Sequence, residues 1–472
     1  MLIISRDQLA GCIGSLFVLF GLPASAGDWR LTSNLSLSLD NIARDNDNTA
    51  DTRYNVLRVQ PSFNLQGESG RSTASVDYSL SGTVRSGDSS QQNLSHALNA
   101  KAHSELYSDM VFLDATARAG LTTRSSNSAS VDATSLNNDV IQTYAFTLSP
   151  RFRHHLGTFA DVVSNNTLQY NGSDTGRNSH SQSLNIGVNS GRRFSIWQWS
   201  LGYTDTTRYL DTGDTSSRSL SANTSYRLSR KWRINGGIGH SSSDAPSRRS
   251  DNSSMTWNVG ASWTPNDRTN LSTTFGHSYS GYNWNGSFSH LSRRTRVTAN
   301  WSRSLTNSDT LLAVVLEPGL DADGLPVLDP ITGLPLLEPI TFLVPSDENF
   351  INTSTNLNVS VKGLRTTVTG SAGYVIREFD VSTQQTEQLT FRLSASRQLS
   401  KYVSANASVS ASELSSDTSS DNSTYDLSFS MNTKIGKNSS LSGRFTHRIH
   451  DDDNGAGYSE QRVGVTLRLP LL

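Results

Sequence analysis

From Trp29 onward, the sequence alternates apolar and polar residues with a period of two in one short segment after another. Leu57, Val59, Phe63 and Leu65, for example, share one parity, and Arg, Gln, Ser and Asn stand between them. Successive side chains of a β-strand point to opposite faces, so each segment predicts a strand with one apolar and one polar face. No segment shows a clear helical period. The sequence therefore predicts an all-β protein.

The links between these segments alternate between short and long. Short links predict tight turns, and longer polar links predict exposed loops. The short links include Gln66–Arg71, Ser229–Lys231, Thr264–Arg268, Gly363–Leu364 and Gly436–Asn438. The long links include Asp40–Thr52, Thr123–Asn138, Ser241–Asp251, Arg377–Thr386, Glu413–Asn422 and His450–Ser459. Strict alternation of the two kinds indicates an up-and-down meander whose two ends differ.

Two architectures can carry such a meander. A soluble sandwich would bury the apolar faces, but a chain of 472 residues would need several sandwiches, and no linker separates them. A transmembrane barrel instead turns the apolar faces to lipid and the polar faces to a lumen. That arrangement needs no solid core, which explains why only 35% of the residues are hydrophobic. We therefore predict a single up-and-down transmembrane antiparallel β-barrel in the outer membrane of a Gram-negative bacterium.

The strand count follows from the turns. Fourteen strands are predicted before Leu305. Because Ser302–Ser308 resembles the short turns, alternating directions require one ascending strand, Thr310–Leu316, before the descending strand that begins near Phe350. The predicted total is about 22 strands, within a range of roughly 20 to 24. Aromatic residues beside the short turns predict a girdle at the membrane interface. They are Trp29, Trp197, Trp199, Trp232, Trp263, Trp301 and Tyr402.

Residues 1–26 predict a cleaved secretory signal peptide. Arg6 supplies the positive charge, Ile13–Leu22 the apolar run, and Ala24-Ser25-Ala26 the small-residue cleavage site. The single cysteine, Cys12, resembles a lipoprotein cysteine, but its apolar run follows it instead of preceding it. Residues 27–472 are then assigned to the barrel. The first strand begins so soon after the cleavage site that we expect no plug domain before it.

Strand parity places a set of arginines on the polar, lumenal face. The lumen-lining candidates are Arg58, Arg118, Arg294, Arg296, Arg392, Arg444, Arg448 and Arg468. Guanidinium groups in a lumen favour anions, by charge and by paired hydrogen bonds to carboxylate or phosphate. The alternative is that arginine is simply a tolerated long polar residue that faces water. The formal net charge of −1 gives no reason to expect nucleic acid as a partner.

Motifs for metal binding or catalysis are weak. Asp451–Gly455 looks like part of a calcium loop, but the ligands that should precede and follow it are missing. His154-His155 lies near a predicted turn, where we expect no carboxylate partner, so it predicts no zinc site. Gly276–Gly281 carries the letters of a nucleophile motif, yet its parity turns His277 towards lipid. The sequence predicts no catalytic, metal or cofactor site, and hence no enzyme.

One block departs from the alternation. The nonapeptide GLPVLDPIT is followed directly by GLPLLEPIT over residues 324–341, and six of the twelve prolines fall between Pro318 and Pro345. At that density we expect neither a helix nor a strand paired in a ladder. The block predicts a long loop inserted at 317–349, which either extends outward or folds inward and narrows the lumen. Its gate candidates are Pro326, Leu328, Pro330, Pro335, Leu337 and Pro339.

The hairpins, one late proline-rich insert and several motifs resemble a known group. The motifs are Arg227-Leu-Ser-Arg-Lys-Trp232, Arg397-Gln-Leu-Ser-Lys-Tyr402 and Trp301-Ser-Arg-Ser-Leu-Thr306. The group comprises the outer-membrane β-barrel proteins associated with the PEP-CTERM/exosortase system, whose genes lie near exopolysaccharide loci. The resemblance extends over nearly the whole mature chain. It implies a role in the export or surface deposition of an extracellular polymer.

Residues and resemblance together give one expected function and two alternatives. The expected function is a barrel conduit or surface component for extracellular polymer export, with an arginine-rich lumen that favours anions. The alternatives are a general diffusion porin for small solutes and a surface structural or adhesive β-protein. The expected partners are outer-membrane lipid and the barrel-assembly machinery. The resemblance adds anionic polysaccharide and periplasmic export proteins.

Overall fold

The computed structural model describes most of the chain after residue 27. The described ranges are 28–47, 50–87, 91–123, 140–174, 178–209, 213–244, 253–278, 280–306, 310–318, 337–345, 350–380, 384–417, 421–436, 439–453 and 457–471. The predicted signal peptide lies outside them, as do four of the gate candidates, Pro326, Leu328, Pro330 and Pro335. In these ranges no helix is long and apolar enough to cross a membrane.

The described residues form 24 β-strands. These are β1 Asp28–Asn46, β2 Thr52–Ser69, β3 Ser72–Gly87, β4 Gln91–Tyr107, β5 Val111–Thr123, β6 Val140–Leu156, β7 Ala160–Ser173, β8 Asn178–Ser190, β9 Trp197–Tyr209, β10 Thr215–Arg227, β11 Trp232–Ser243, β12 Ser253–Asn266, β13 Thr269–Ser278, β14 Gly281–Leu291, β15 Thr295–Thr306, β16 Thr310–Pro318, β17 Leu337–Pro345, β18 Phe350–Lys362, β19 Thr366–Phe379, β20 Gln385–Gln398, β21 Val403–Ser416, β22 Asn422–Ile435, β23 Ser439–Asp452 and β24 Tyr458–Pro470.

Twenty-two of these strands close into one barrel, which confirms the predicted fold and strand number. β1–β15 and β18–β24 each pair antiparallel with the next wall strand. β1 then pairs with β24 from Asn34↔Pro470 to Asn46↔Tyr458, so the wall has no free edge. With strands about 4.8 Å apart and tilted by about 40°, such a wall is about 44 Å across.

The assignment of Thr310–Leu316 to the wall was wrong. The fifteenth wall strand is β15, which ends at Thr306 and pairs directly with β18 through Thr306↔Phe350. The proposed turn at Ser302 is an extended part of β15, where Ser302 pairs with Ser354. Small polar residues fill the lumenal positions of this strand, so its sequence resembles a turn although its backbone is extended.

The expectation that no paired strand runs through the proline-rich block was also wrong. β16 and β17 form a separate two-stranded sheet, from Thr310↔Pro345 to Pro318↔Leu337. Each strand of a two-stranded sheet has one free edge, where a proline without an N–H breaks no ladder bond. Two of the prolines concerned, Pro318 and Pro345, also stand at strand ends, where little pairing is lost.

The two faces of the wall follow the predicted alternation. Leu57 and Val59 are exposed on the outer face, whereas Arg58 between them is only partly exposed on the inner face. On β9, Trp197 and Tyr209 are exposed at opposite ends and stand twelve residues apart. At about 3.3 Å per residue and a tilt of about 40°, they are separated by about 30 Å along the barrel axis. That distance matches the apolar thickness of a membrane.

The aromatic girdle is present at the short-turn end, with one exception. Trp29, Trp197 and Trp232 lie at the beginnings of their strands and are about half exposed. Trp232 and Trp263 are cross-strand neighbours whose rings lie 6.0 Å apart. Trp301 instead lies within β15, because the turn that was expected beside it is part of the strand.

Candidate functional site

A continuous group of charged side chains covers the inner wall of β22–β24 and β1–β3. It comprises Arg44, Arg58, Arg85, Arg444, Arg448, Arg462, Arg468, Asp40, Asp426 and Glu460, and is called the arginine patch below. The residues between its members, such as Leu39 and Val463, are more than half exposed on the lipid-facing side. The patch therefore belongs to the lumen.

Asp40 is the centre of the arginine patch. Its side chain is 2% exposed, and Arg462 is 7% exposed. Arg462 donates two parallel hydrogen bonds to Asp40, from Nε to Oδ1 at 3.0 Å and from Nη2 to Oδ2 at 3.0 Å. Nη2 of Arg444 lies 3.6 Å from the same Oδ1. A buried carboxylate in a paired arrangement of this kind fixes the guanidinium planes.

Local sequence makes room for this pair. Asp40 on β1 stands directly opposite Gly464 on β24, and Arg462 follows two positions along the same face. A Cβ atom at position 464 would overlap the Asp40 carboxylate. A side chain at position 464 would therefore displace the carboxylate from its place across the neighbouring strand.

Two further ion pairs flank the centre. Arg448 Nε donates to Asp426 Oδ1 at 2.6 Å. Arg44 Nε lies 3.7 Å from Glu460 Oε2, and the Arg44 guanidinium lies 3.6 Å from the centre of the Tyr458 ring. The patch thus holds seven arginines and three carboxylates. The carboxylates orient the arginines, and the patch retains an excess of positive charge.

A small apolar cluster lies beside Asp40 within the arginine patch. Ile42, Tyr54 and Val56 are nearly inaccessible, at 1–2% exposure, although their parity turns them to the lumen. The Arg85 guanidinium lies 4.9 Å from the centre of the Tyr54 ring. Val56 stands directly opposite both Asp40 and Arg85, so the cluster shields these charged groups from part of the water in the lumen. Electrostatic interactions strengthen in such surroundings.

The predicted arginines do not all lie together. Arg58, Arg444, Arg448 and Arg468 belong to the patch. The other predicted arginines lie elsewhere: Arg392 on β20, Arg118 on β5, Arg296 near the start of β15, and Arg294 in the turn before β15.

Four patch residues, Asp40, Arg44, Arg85 and Glu460, were not assigned to the lumenal face from the sequence. Asp40 and Arg44 were assigned to a loop, whereas β1 continues to Asn46. The alternation of β1 continues through Asp40, Ile42 and Arg44. Following it beyond Leu39 would have placed Asp40 and Arg44 on the lumenal face.

The β16–β17 hairpin is the second feature of the lumen. It connects β15 and β18, yet Cα atoms of β17 come within 8 Å of Cα atoms of β5. In the ring of wall strands, β5 is ten strands from β15 and eleven from β18, so it lies on the opposite wall. Nine-residue strands are about 30 Å long, which is most of the diameter. The hairpin, including Leu337 and Pro339, therefore crosses the barrel opening from wall to wall.

In the part of the chain that the structure describes, no three His, Cys, Asp or Glu side chains are close enough together to hold a metal ion. The charged arrangement of the lumen is instead suited to binding or passing anions.

A closed 22-stranded barrel with an apolar exterior, aromatic girdles and a charged lumen is an outer-membrane β-barrel protein. No protein-family model matches the sequence. No curated protein is significantly similar to it either.

Solved structures of similar fold are outer-membrane receptors. The siderophore receptor PirA from Acinetobacter baumannii is 9% identical, with a TM-score of 0.53, over 93% of this chain and 80% of that chain. A variant of the ferric enterobactin receptor PfeA from Pseudomonas aeruginosa, solved with enterobactin, is 10% identical. Its TM-score is 0.50, over 93% of this chain and 81% of that chain. At these identities the likeness concerns the fold.

Proposed function

We propose that this protein is an outer-membrane conduit whose lumen selects anions, and that its cargo is an anionic extracellular polysaccharide. The arginine patch, with seven arginines against three carboxylates, supports anion selection. The nature of the cargo comes from the resemblance to barrels encoded near exopolysaccharide genes. Carboxylate and phosphate groups on a polysaccharide fit the paired donors of arginine.

The geometry supports a fixed binding face more than a set of mobile charges. Asp40 holds Arg462 by two hydrogen bonds and also faces Arg444. Arginines held in this way lose little side-chain entropy when an anion binds, so binding is less costly than on a flexible surface. Arg444 keeps 44% of its side chain exposed and can reach a solute in the lumen.

The β16–β17 hairpin supports a gated conduit over an open diffusion pore. It crosses the opening that a freely diffusing solute would use. The gate would act by moving the hairpin away from β5, because the hairpin belongs to a separate sheet and shares no ladder with the wall. Movement would then leave every wall hydrogen bond intact.

Channel selectivity tests the proposal. Arg444→Gln with Arg468→Gln removes two positive charges from the patch. At about 10 Å in water each unit charge is worth about 0.4 kcal/mol, so anion preference should fall about fourfold. The measurement is the reversal potential in planar bilayers at about 0.01 M salt, where screening is weak. Arg365→Gln with Lys401→Gln, in two short turns, removes the same charge outside the lumen and is the control.

Two results would count against this function. An unchanged reversal potential in the Arg444/Arg468 double variant would refute anion selection by the patch. Large, weakly selective currents from the unaltered protein would instead indicate a general diffusion porin. Loss of cell-surface polysaccharide on deletion of the gene, restored by the wild type, is the expected result for the cargo.

A further inference from the structure

A second basic site lies at the opposite end of the lumen, where the chain makes its short, periplasmic turns. The β10–β11 hairpin and the adjoining end of β12 border a recess of about 500 Å³. The residues that line it are Arg227, Ser229, Arg230, Lys231, Trp232, Arg233, Ser262 and Thr264. They comprise four cations, three hydroxyl side chains and one indole, without a carboxylate.

The pairing register makes this arrangement unfavourable when it is empty. Arg227 on β10 stands directly opposite Arg233 on β11, and Ser262 on β12 stands on the other side of Arg233. Like charges directly opposite on neighbouring strands destabilise a sheet, because their Cβ atoms are only about 5 Å apart. An anion between the two guanidinium groups would remove this repulsion and accept hydrogen bonds from both.

The neighbouring contacts leave the cations available. Arg233 donates from Nη1 to the amide oxygen of Gln198 at 2.7 Å, a neutral partner that orients the guanidinium without neutralising it. Ser229 accepts backbone hydrogen bonds from Lys231 and Trp232 and thereby fixes the turn. Across the described ranges, no carboxylate lies within ion-pair distance of Arg227 or Arg233.

The alternation of side chains along β11 shows that the recess lies on the lumenal side of the wall. Trp232 and Ile234 are exposed on the lipid side, so Arg233 between them points into the lumen. Arg227 shares that inner face through its pairing with Arg233. The site thus stands at the periplasmic mouth, at the opposite end of the barrel from the long loops, which are rich in Asp, as in Asp451-Asp452-Asp453.

We propose that this recess is an anion-binding site that receives a uronate, sulfate or phosphate group of a soluble saccharide from the periplasm. The assignment of a saccharide to this recess rests on the proposed function. It adds a direction of transport, from the periplasm outwards. A basic periplasmic mouth attracts an anionic chain, and acidic loops at the outer mouth disfavour its return. Arg227 and Arg233 supply the forked donors, and Ser262 supplies a hydroxyl beside them.

Binding of a uronate oligomer tests the site directly. Fluorescent oligogalacturonate is titrated into the detergent-solubilised full chain at about 0.15 M salt, with a neutral dextran of equal length as the comparison. Arg227→Gln with Arg233→Gln should weaken uronate binding at least about tenfold and leave dextran unchanged, since glutamine keeps neither the charge nor the paired donors of arginine. Arg227→Lys with Arg233→Lys keeps the positive charges but not the paired guanidinium donors. Its affinity for uronate should therefore lie between those of the wild type and the glutamine double variant.

The control, Arg365→Gln with Lys401→Gln, removes equal charge from the same mouth. Arg365 and Lys401 lie six and eight wall strands away from the recess. These separations are about 38 and about 50 Å around the wall, which is several screening lengths at this salt. The affinity of this control should equal that of the wild type. An equal loss in the control, or an unchanged affinity in the Arg227/Arg233 double variant, would overturn the site. Heat-modifiable gel migration confirms that each variant forms the barrel.

A phospholipid headgroup also carries a phosphate that could bind in the recess. A second experiment therefore distinguishes a soluble saccharide from a phospholipid as the ligand. The wild type is reconstituted with phosphatidylglycerol or with phosphatidylcholine. If it binds no uronate in detergent, while the Arg227/Arg233 double variant loses retained phosphatidylglycerol, the saccharide proposal is wrong and the recess is a headgroup site. A third outcome separates the recess from the proposed function. If the wild type binds uronate but replacing Arg444 and Arg468 does not change ion selectivity, the proposed function is wrong and the anion site in the recess still stands.

Discussion

Asp40→Asn keeps the shape of the side chain and removes the charge that both Arg462 and Arg444 face. Asp40 is 2% exposed and Arg462 7% exposed, so the remaining guanidinium would be a buried cation that has lost the carboxylate paired with it. Breaking a buried pair in this way costs about 3–5 kcal/mol. Because 44% of the Arg444 side chain is exposed, some water reaches the site. We therefore expect a loss of stability at the lower end of this range, about 3 kcal/mol.

Urea unfolding of the barrel measures this cost. A loss of about 3 kcal/mol lowers the folded-to-unfolded ratio more than a hundredfold, because each 1.4 kcal/mol is about tenfold. The matched control is Asp426→Asn, which breaks a pair whose carboxylate is 35% exposed and whose Arg448 is 21% exposed. That loss should be about 1 kcal/mol, because water solvates the charges that remain.

A third variant isolates the cause. Asp40→Asn combined with Arg462→Gln removes both charges and should recover most of the lost stability, because no buried cation remains. If the double variant is no more stable than Asp40→Asn alone, the loss came from packing. If Asp40→Asn costs no more than Asp426→Asn, burial does not strengthen the pair, and the account of the patch as a fixed binding face is wrong.

Two further predictions concern the hairpin and the strand beside Asp40. Deleting residues 310–345 should raise single-channel conductance and leave heat-modifiable migration intact, because β16 and β17 share no ladder with the wall; unchanged conductance would exclude the hairpin as a gate. Gly464→Ala should lower the urea midpoint, because the added Cβ meets the Asp40 carboxylate, whereas Gly443→Ala, which meets nothing within 4 Å, should not. Equal midpoints for the two variants would show that the site can shift to accommodate a Cβ.

Lumenal residues could be identified from parity only where the strand itself was identified. Arg444 and Arg468 were found in this way, because apolar neighbours such as Phe445 and Leu467 keep a strict alternation. Asp40 was missed because β1 extends beyond the part that must face lipid. There the outer residues need not be apolar, and the alternating signal ends before the strand does.

The sequence alone determined the class of fold and the two faces of the wall. It also predicted the total of about 22 strands, although it counted one wall strand too few before the hairpin and wrongly added Thr310–Leu316. A membrane requires most lipid-facing positions to be apolar and every backbone group to be paired. Both requirements favour strands in which apolar and polar residues alternate along the chain. It also determined which end carries the short turns.

Only the tertiary structure decided which charges meet. Asp40 and Arg462 are separated by more than four hundred residues and come together because β1 pairs with β24 when the barrel closes. The same holds for the hairpin, whose position against β5 depends on the closed ring and not on any local pattern. The alternation of polar and apolar residues indicates whether each side chain faces lipid or the lumen. Closure of the barrel determines which side chains are neighbours, and the sites of this protein depend on those neighbours.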